Sequence, residues 1–434
     1  DYFFHKANEK WLDWLWKNGF LDDIKKKTDD TNQYSYRIPE LHYLMRMVEK
    51  DPAKVAEIIL SVKISEDNFN PEVIDQFLRM CGDLPAEYLA KIVPKIKKDN
   101  WVTLMGVFNH LDFEFKAMFK ILLEAKDFGS ILTLAEVVLS VKSKADIDKE
   151  GRKAGLDSPF YFNYLTDTDV FDSLLGVSDE YVENAFDISL RVLVNIVNLG
   201  EKSKGRTSFE VEDIFYLFSL DFFSVEPGRK HSSYRESVEE LAAVIKTLAV
   251  RLIEINKDND KKLLDIYDKK IDLLPDSHLI WRFRLFFISL MPKVYSKIIE
   301  KTLERIFTAK HYHDIISEAE YLKLLQTSFS NLTKKFRDAY ALRIISHFCE
   351  VMKESDDERK KWDQIYGSRI LSTIAESISD DVKNEAKREG FKLDLKFEAK
   401  PRIGSVEGGF VREVSPVSEE ELNELSVAEI VEKL

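Results

Sequence analysis

The chain has 434 residues, more than a single hydrophobic core usually serves, so it is either several domains or a repeat array whose core extends along one axis. It carries only 15 Gly and 11 Pro, is 44% hydrophobic, and has a net charge of −13, which excludes global disorder and argues against a protein devoted to the phosphate backbone of nucleic acid. Two cysteines, Cys81 and Cys349, point to neither a disulfide framework nor a zinc cluster and fit a reducing, cytoplasmic setting.

Helical periodicity runs from Ala7 to about Ser140. Three helix starts of one kind fall between Asp51 and Lys98: Asp51-Pro52, Asn70-Pro71 and the turn Gly82-Asp83-Leu84-Pro85. In each, a proline occupies the first turn, where no backbone N–H is needed, and in the first two an Asp or Asn stands ready as the cap. Leu89, Ile92, Val93 and Ile96 form the apolar stripe of the third helix. Between Asp146 and Asp169 the pattern loosens, with Gly151, Gly155 and Ser158-Pro159 punctuating Phe160, Tyr161, Phe162 and Tyr164. A second irregular stretch, Gly200 to Ser233, holds the aromatic segment Phe215 to Phe223 followed by Pro227 and Gly228.

Helix pairs resume from Ser233 to about Lys387. A long stripe from Val238 through Leu241, Ile245 and Leu248 to Ile253 belongs to a helix opened by Ser232 or Ser233, and Trp362, Ile365, Tyr366, Ile370, Ile374 and Ile378 form another. After Gly390, Phe391, Leu393, Leu395 and Phe397 alternate with charged residues, the signature of a half-buried strand, and Phe410 to Val414 is its expected partner. Ser418 with Glu419, Glu420 and Glu421 caps a last helix reaching Leu434. The expected organisation is N-terminal helical repeats (1–150), an irregular aromatic-rich helical segment with loops (151–232), C-terminal helical repeats (233–390), and a hairpin-like segment with a final helix (391–434). The expected fold is an all-α, right-handed HEAT-like or TPR-like solenoid of some twenty helices, with a small β-hairpin near 391–414. Residue 1 is Asp rather than Met and the last helix has no terminating Gly or Pro, which reads as a piece of a longer polypeptide.

Motifs that carry chemistry are missing. Gly200 to Thr207 has the spacing of a phosphate-binding loop, yet Arg206 stands where the phosphate-coordinating Lys belongs, and the apolar run before it extends back through Val182 as a long helix rather than a strand. His311 and His313 would point about 200° apart on a helix and cannot share a metal there. Asp167, Asp169 and Asp172 lack the glycine and the terminal glutamate of a calcium loop. The basic runs, such as Lys25-Lys26-Lys27 and Arg359-Lys360-Lys361, have acids close by and read as solvated surface. No catalytic residue, cofactor or metal is therefore expected. The most apolar run, Leu279 to Met291, is too short to span a bilayer and is broken by Arg282 and Arg284. Trp281, Arg282 and Arg284, set among Phe283, Phe286 and Phe287, are the candidate partner-binding residues, since aromatics and Arg anchor interfaces; the other aromatics read as core.

Several segments resemble the helical repeat region of large bacterial STAND-type NTPases of the antiviral-defence kind. They are Tyr2-Phe3-Phe4 with Trp11 and Gly19-Phe20, Asp51 to Val62, Leu84 to Lys95, Leu274-Pro275 through Leu290, Glu320-Tyr321 with Leu324-Leu325, and Ser415-Pro416-Val417-Ser418 with Ser426 to Val431. The resemblance implies a sensor region that binds a protein partner, with ATP handling and oligomerisation left to domains outside this chain. Two other readings fit the same residues: a helical-repeat enzyme acting on nucleic acid, for example by base removal in a curved basic groove, and a passive structural spacer.

Overall fold

Proline and a polar cap set the starts of the N-terminal helices. In a computed structural model of the chain, which describes residues 2–26, 38–105, 111–143, 145–146, 159–162, 165–202, 222–228, 236–309 and 312–395, the Asp51 side chain accepts a hydrogen bond from the Lys54 N–H at 3.1 Å. Asn70 does the same for the Glu72 N–H at 3.0 Å, and in both cases the following proline is the first helical residue. Pro39 opens a third such helix, and Pro85 precedes a fourth. Gly82 and Asp83 complete a helix rather than open a turn, so Leu84 and Pro85 alone make that connection.

Twenty α-helices lie among the described residues. The N-terminal ones are α1 (Tyr2–Lys6), α2 (Leu12–Lys17), α3 (Pro39–Met47), α4 (Pro52–Ser61), α5 (Pro71–Asp83), α6 (Ala86–Lys98), α7 (Trp101–Met105), α8 (Asp112–Glu124) and α9 (Phe128–Val138). They are followed by α10 (Val170–Leu175), α11 (Val182–Lys202), α12 (Glu236–Ile255), α13 (Asp260–Ile266) and α14 (His278–Ser289). The remainder are α15 (Ser296–Ile306), α16 (Tyr312–Ser317), α17 (Ala319–Ser328), α18 (Lys334–Glu354), α19 (Asp357–Ile374) and α20 (Asp380–Arg388). Contacts divide the chain into the units Asp1–Pro401 and Arg402–Leu434, the second wholly outside the described residues.

In the first unit the N-terminal helices form two rows. One row runs α1, α3, α5, α8, α10, each packed on the next, and the other runs α2, α4, α6, α9, α11; α12 packs on both row ends, α10 and α11. The helices shield their apolar stripes mainly against the row members before and after them, and Leu89, Ile92, Val93 and Ile96 of α6, which packs on α4 and α9, are all fully buried. Charged links tie the rows along their length, as where Arg79 of α5 reaches Glu114 of α8 at 2.7 Å. Beyond α12, α14 packs on α17, α17 on α19, and α18 on both α19 and α20. Rings join the two halves: Phe186 of α11 lies 6.2 Å from Phe283 and 6.4 Å from Phe287 of α14, centroid to centroid.

Three expectations change. The stripe on α19 is interrupted, because Ile370 and Ile374 are buried while Trp362 and Ile365, a turn or two earlier, are 58% and 57% exposed. Residues 391–395 form no strand: Phe391 is buried and the chain runs along α19, with the Lys392 N–H donating to Ser368 Oγ at 3.0 Å and the Asp394 N–H to Ser372 Oγ at 2.9 Å. Side chains one helical turn apart here satisfy an extended backbone in place of a partner strand. The expected partner strand at 410–414 and the final helix lie outside the described residues. Helix α11 continues through Gly200 to Lys202, so the loop look-alike begins inside a helix; Arg206 lies outside the described residues, as does His311.

Candidate functional site

Helix α14 reads His-Leu-Ile-Trp-Arg-Phe-Arg-Leu-Phe-Phe-Ile-Ser, apolar on every face, and every residue from Leu279 to Ile288 is buried. Ser277 caps its start by accepting from the Ile280 N–H at 3.4 Å. Two arginines on such a helix must carry their own partners inward, and being two residues apart they point to opposite sides.

Arg282 turns to α17. Its Nε and Nη2 donate to the two oxygens of Glu320, both at 3.1 Å, and Nε lies 3.6 Å from Glu318, which also faces His278 at 3.2 Å. Glu320 is 0% exposed, and burial pushes its carboxyl above the ordinary glutamate value of 4.5 against the opposing pull of Arg282. Arg284 turns the other way, to the end of a short π-helical turn, Tyr267–Ile271, where it donates to the carbonyls of Ile271 (3.2 Å), Asp272 (3.4 Å) and Leu274. Burial, then the nearby charge of Arg305, lowers its proton affinity. Trp281 donates to Asp276, and the guanidinium groups of Arg284 (5.2 Å) and Arg305 (5.1 Å) both lie close to its ring centroid.

The structure therefore places Trp281, Arg282 and Arg284 in the core, each engaged with its own chain. Their expected role as direct contacts for a partner is corrected to that of internal holders, because none of the three offers an exposed surface.

The same cluster holds residues Phe222 to Gly228, the described part of the chain between α11 and α12, against α12, α14 and α17. The Phe222 N–H donates to Glu320 Oε1 at 2.8 Å, and the Gly228 N–H to Glu240 Oε1 at 2.8 Å. Lys246 Nζ donates to the carbonyls of Phe223 (3.1 Å) and Val225 (2.6 Å). Phe222 is fully buried, 5.4 Å from Phe283 and 5.8 Å from Phe286, while Phe223 meets Phe286 edge-on at 5.2 Å. Gly228 adopts φ +73, which a glycine takes without strain.

Sequence reading did not find Glu240, Lys246 or Glu320 as a group, although Glu320-Tyr321 was part of the family resemblance. A charge within an apolar pattern looks the same whether it faces water or a buried partner; a weak signal was present in Ala319-Glu320-Tyr321-Leu322, where the acid interrupts a small and apolar run.

Elsewhere, an open groove of about 390 Å³ lies between α6, α9 and α11, where Glu136 pairs with both Lys97 and Arg191, the latter at 2.8 Å. A second hollow of about 650 Å³ beside α13 is lined by Lys261, Lys262, Asp265 and Asp268, ordinary surface charges. The first groove is also lined by Ser140, Ser143 and Tyr161, the last two hydrogen-bonded to Asp146. Asp169, of the calcium-loop look-alike, pairs with Lys116 at 3.0 Å, and among the described residues no group of three or more His, Cys, Asp or Glu is placed to hold a metal ion. No described helix is long and apolar enough to cross a membrane. Compared with protein-family models, curated proteins and solved structures, the chain matches none.

Proposed function

We propose that this chain is a non-catalytic recognition scaffold, a right-handed HEAT-like or TPR-like solenoid that binds a protein partner. It serves as the sensor region of a larger cytoplasmic bacterial STAND-type NTPase in antiviral defence, with nucleotide handling and oligomerisation in other domains. The observation that carries the reading is the two-row packing of α1 to α12, in which successive members of each row pack on one another, the layout of a repeat array whose surface serves recognition. Exposed aromatics agree with it: Phe3, Trp11, Trp14 and Phe20 form a ladder of ring contacts at 5.6, 5.9 and 5.1 Å on the outside of α1 and α2, the residue types that anchor interfaces. The family part rests on the scaffold residues quoted above, from Tyr2 to Val431.

The test is nucleotide chemistry. The purified chain is expected to hydrolyse no ATP, and the complete reading frame is expected to encode an adjoining nucleotide-binding domain. ATP hydrolysis by this chain, abolished in Arg206→Ala, overturns the proposal.

A further inference from the structure

We propose that the cradle made by α12, α14 and α17 is a binding site for a turn-forming, aromatic-bearing peptide of another protein, and that Phe222 to Gly228 fills it as an internal stand-in. The inference rests on the scaffold reading above and names both its ligand class and its regulation.

Four features support it. Two N–H groups and two carbonyls of the segment's backbone bond to the side chains of Glu320, Glu240 and Lys246. Bonds to backbone are blind to sequence, so a foreign chain following the same turns at 222–224 and 227–228 makes the same ones. Specificity comes from anchors: Phe222 and Val225 are buried, the first among the rings of Phe283 and Phe286, and Phe223 covers the rim. Finally, a buried Arg–Glu pair stabilises a fold no better than apolar residues of the same volume, so its presence beneath Phe222 is better explained by what it holds. The ligand is thus a segment of the order Phe-Phe-x-Val whose first Phe retains its N–H. While the chain's own segment is seated, the apparent affinity for such a ligand is lowered by the small fraction of empty cradle.

The experiment uses the full chain and a labelled peptide, Asp-Phe-Phe-Ser-Val-Glu-Pro-Gly, the sequence of residues 221–228. Fluorescence anisotropy compares the wild type with Phe222→Ala and with the milder Phe223→Ala, each checked for its fold by circular dichroism. Loosening the internal segment is expected to tighten peptide binding by about tenfold or more. That gain should vanish when Lys246→Met is added or when the peptide's first Phe is replaced by Ala. Folded variants that bind the peptide no better than the wild type overturn the proposal. Should neither variant fold, hydrogen exchange on the wild type decides: saturating peptide must speed exchange of the Phe222 and Gly228 amides, and unchanged exchange overturns it. Assaying the same preparations for ATP hydrolysis keeps the two readings apart, since hydrolysis strikes at the scaffold assignment and failed peptide binding at the cradle alone.

Discussion

Replacing Arg282 by methionine removes the cation but keeps most of the volume beneath the Phe222 segment. Glu320 would then stay fully buried with the Phe222 N–H at 2.8 Å as its remaining donor, having lost both guanidinium bonds at 3.1 Å. An ionised carboxylate stranded in this way costs about 3–5 kcal/mol. The paired substitution Arg282→Met with Glu320→Met removes that buried charge and strands the Phe222 N–H, a penalty of about 1–3 kcal/mol that better apolar packing partly offsets. The double variant should therefore be more stable than Arg282→Met alone. The pH dependence supplies a second signature. Burial already holds the folded-state proton affinity of Glu320 above the ordinary value of 4.5, and losing Arg282 raises it further. A raised folded-state value means that stability is intact below 4.5 and is lost as the pH rises through the folded-state value, so the deficit of Arg282→Met must grow from pH 4.5 toward neutrality. Urea unfolding followed by circular dichroism at the two pH values measures all of this. A deficit below about 1 kcal/mol, or one equal at both pH values, refutes the reasoning.

Three further outcomes are expected. Asp51→Ala and Asn70→Ala each remove a side-chain acceptor at a helix start and should destabilise by about 1 kcal/mol in urea unfolding, with additive effects if the two caps act independently. A Cβ at Gly367 would come within 2.5 Å of the Phe391 ring and 3.1 Å of Phe348 Cγ, so Gly367→Ala should cost about 1–3 kcal/mol and open the chain after Lys392 to trypsin; unchanged proteolysis would show that Phe391 does not pin that segment. Lys126 sits at φ +56 just past α8, with its N–H on the Leu123 carbonyl and that of Asp127 on Leu122. Lys126→Gly should then stabilise by up to about 1 kcal/mol, read as a higher urea midpoint.

What sequence conveyed was local. A capped proline needs only its own neighbours, so Asp51-Pro52 and Asn70-Pro71 announced α4 and α5 correctly. Periodicity is also local, but it reports an apolar face without saying what covers it. Trp362 and Ile365 continue the spacing of Ile370 and Ile374, yet no described neighbour covers their end of α19 and they remain exposed. Alternation after Gly390 likewise reports an extended chain with one buried side; whether a strand or the row Gln364, Ser368 and Ser372 of a helix satisfies its backbone depends on tertiary contacts. The cradle was least visible of all, because Glu240, Lys246, Arg282 and Glu320 come together across three helices and look in one dimension like the rest of a highly charged chain.

One long-range feature nevertheless follows from composition. A helical array must satisfy the last carbonyls of each helix, commonly with a glycine just past the end, and this chain has only 15 glycines in 434 residues. Some ends force a side-chain-bearing residue into the left-handed region, as Asn100 does after α6 and Lys126 after α8. Others are capped by an arginine from a different helix: Arg46 donates to Phe4, His5 and Ala7 at the end of α1, and Arg251 to Leu175 and Val177 at the end of α10. Arg284 does the same for Ile271, Asp272 and Leu274. A guanidinium suits the task because several donors in one plane meet several carbonyls while its charge complements the negative end of the helix dipole. An arginine inside an apolar stripe of a glycine-poor helical array is thus better read first as a clamp on a neighbouring helix end. Arg284 in α14 fits that rule, and Arg282, two residues earlier with a carboxylate instead of carbonyls before it, is the departure that marks the cradle.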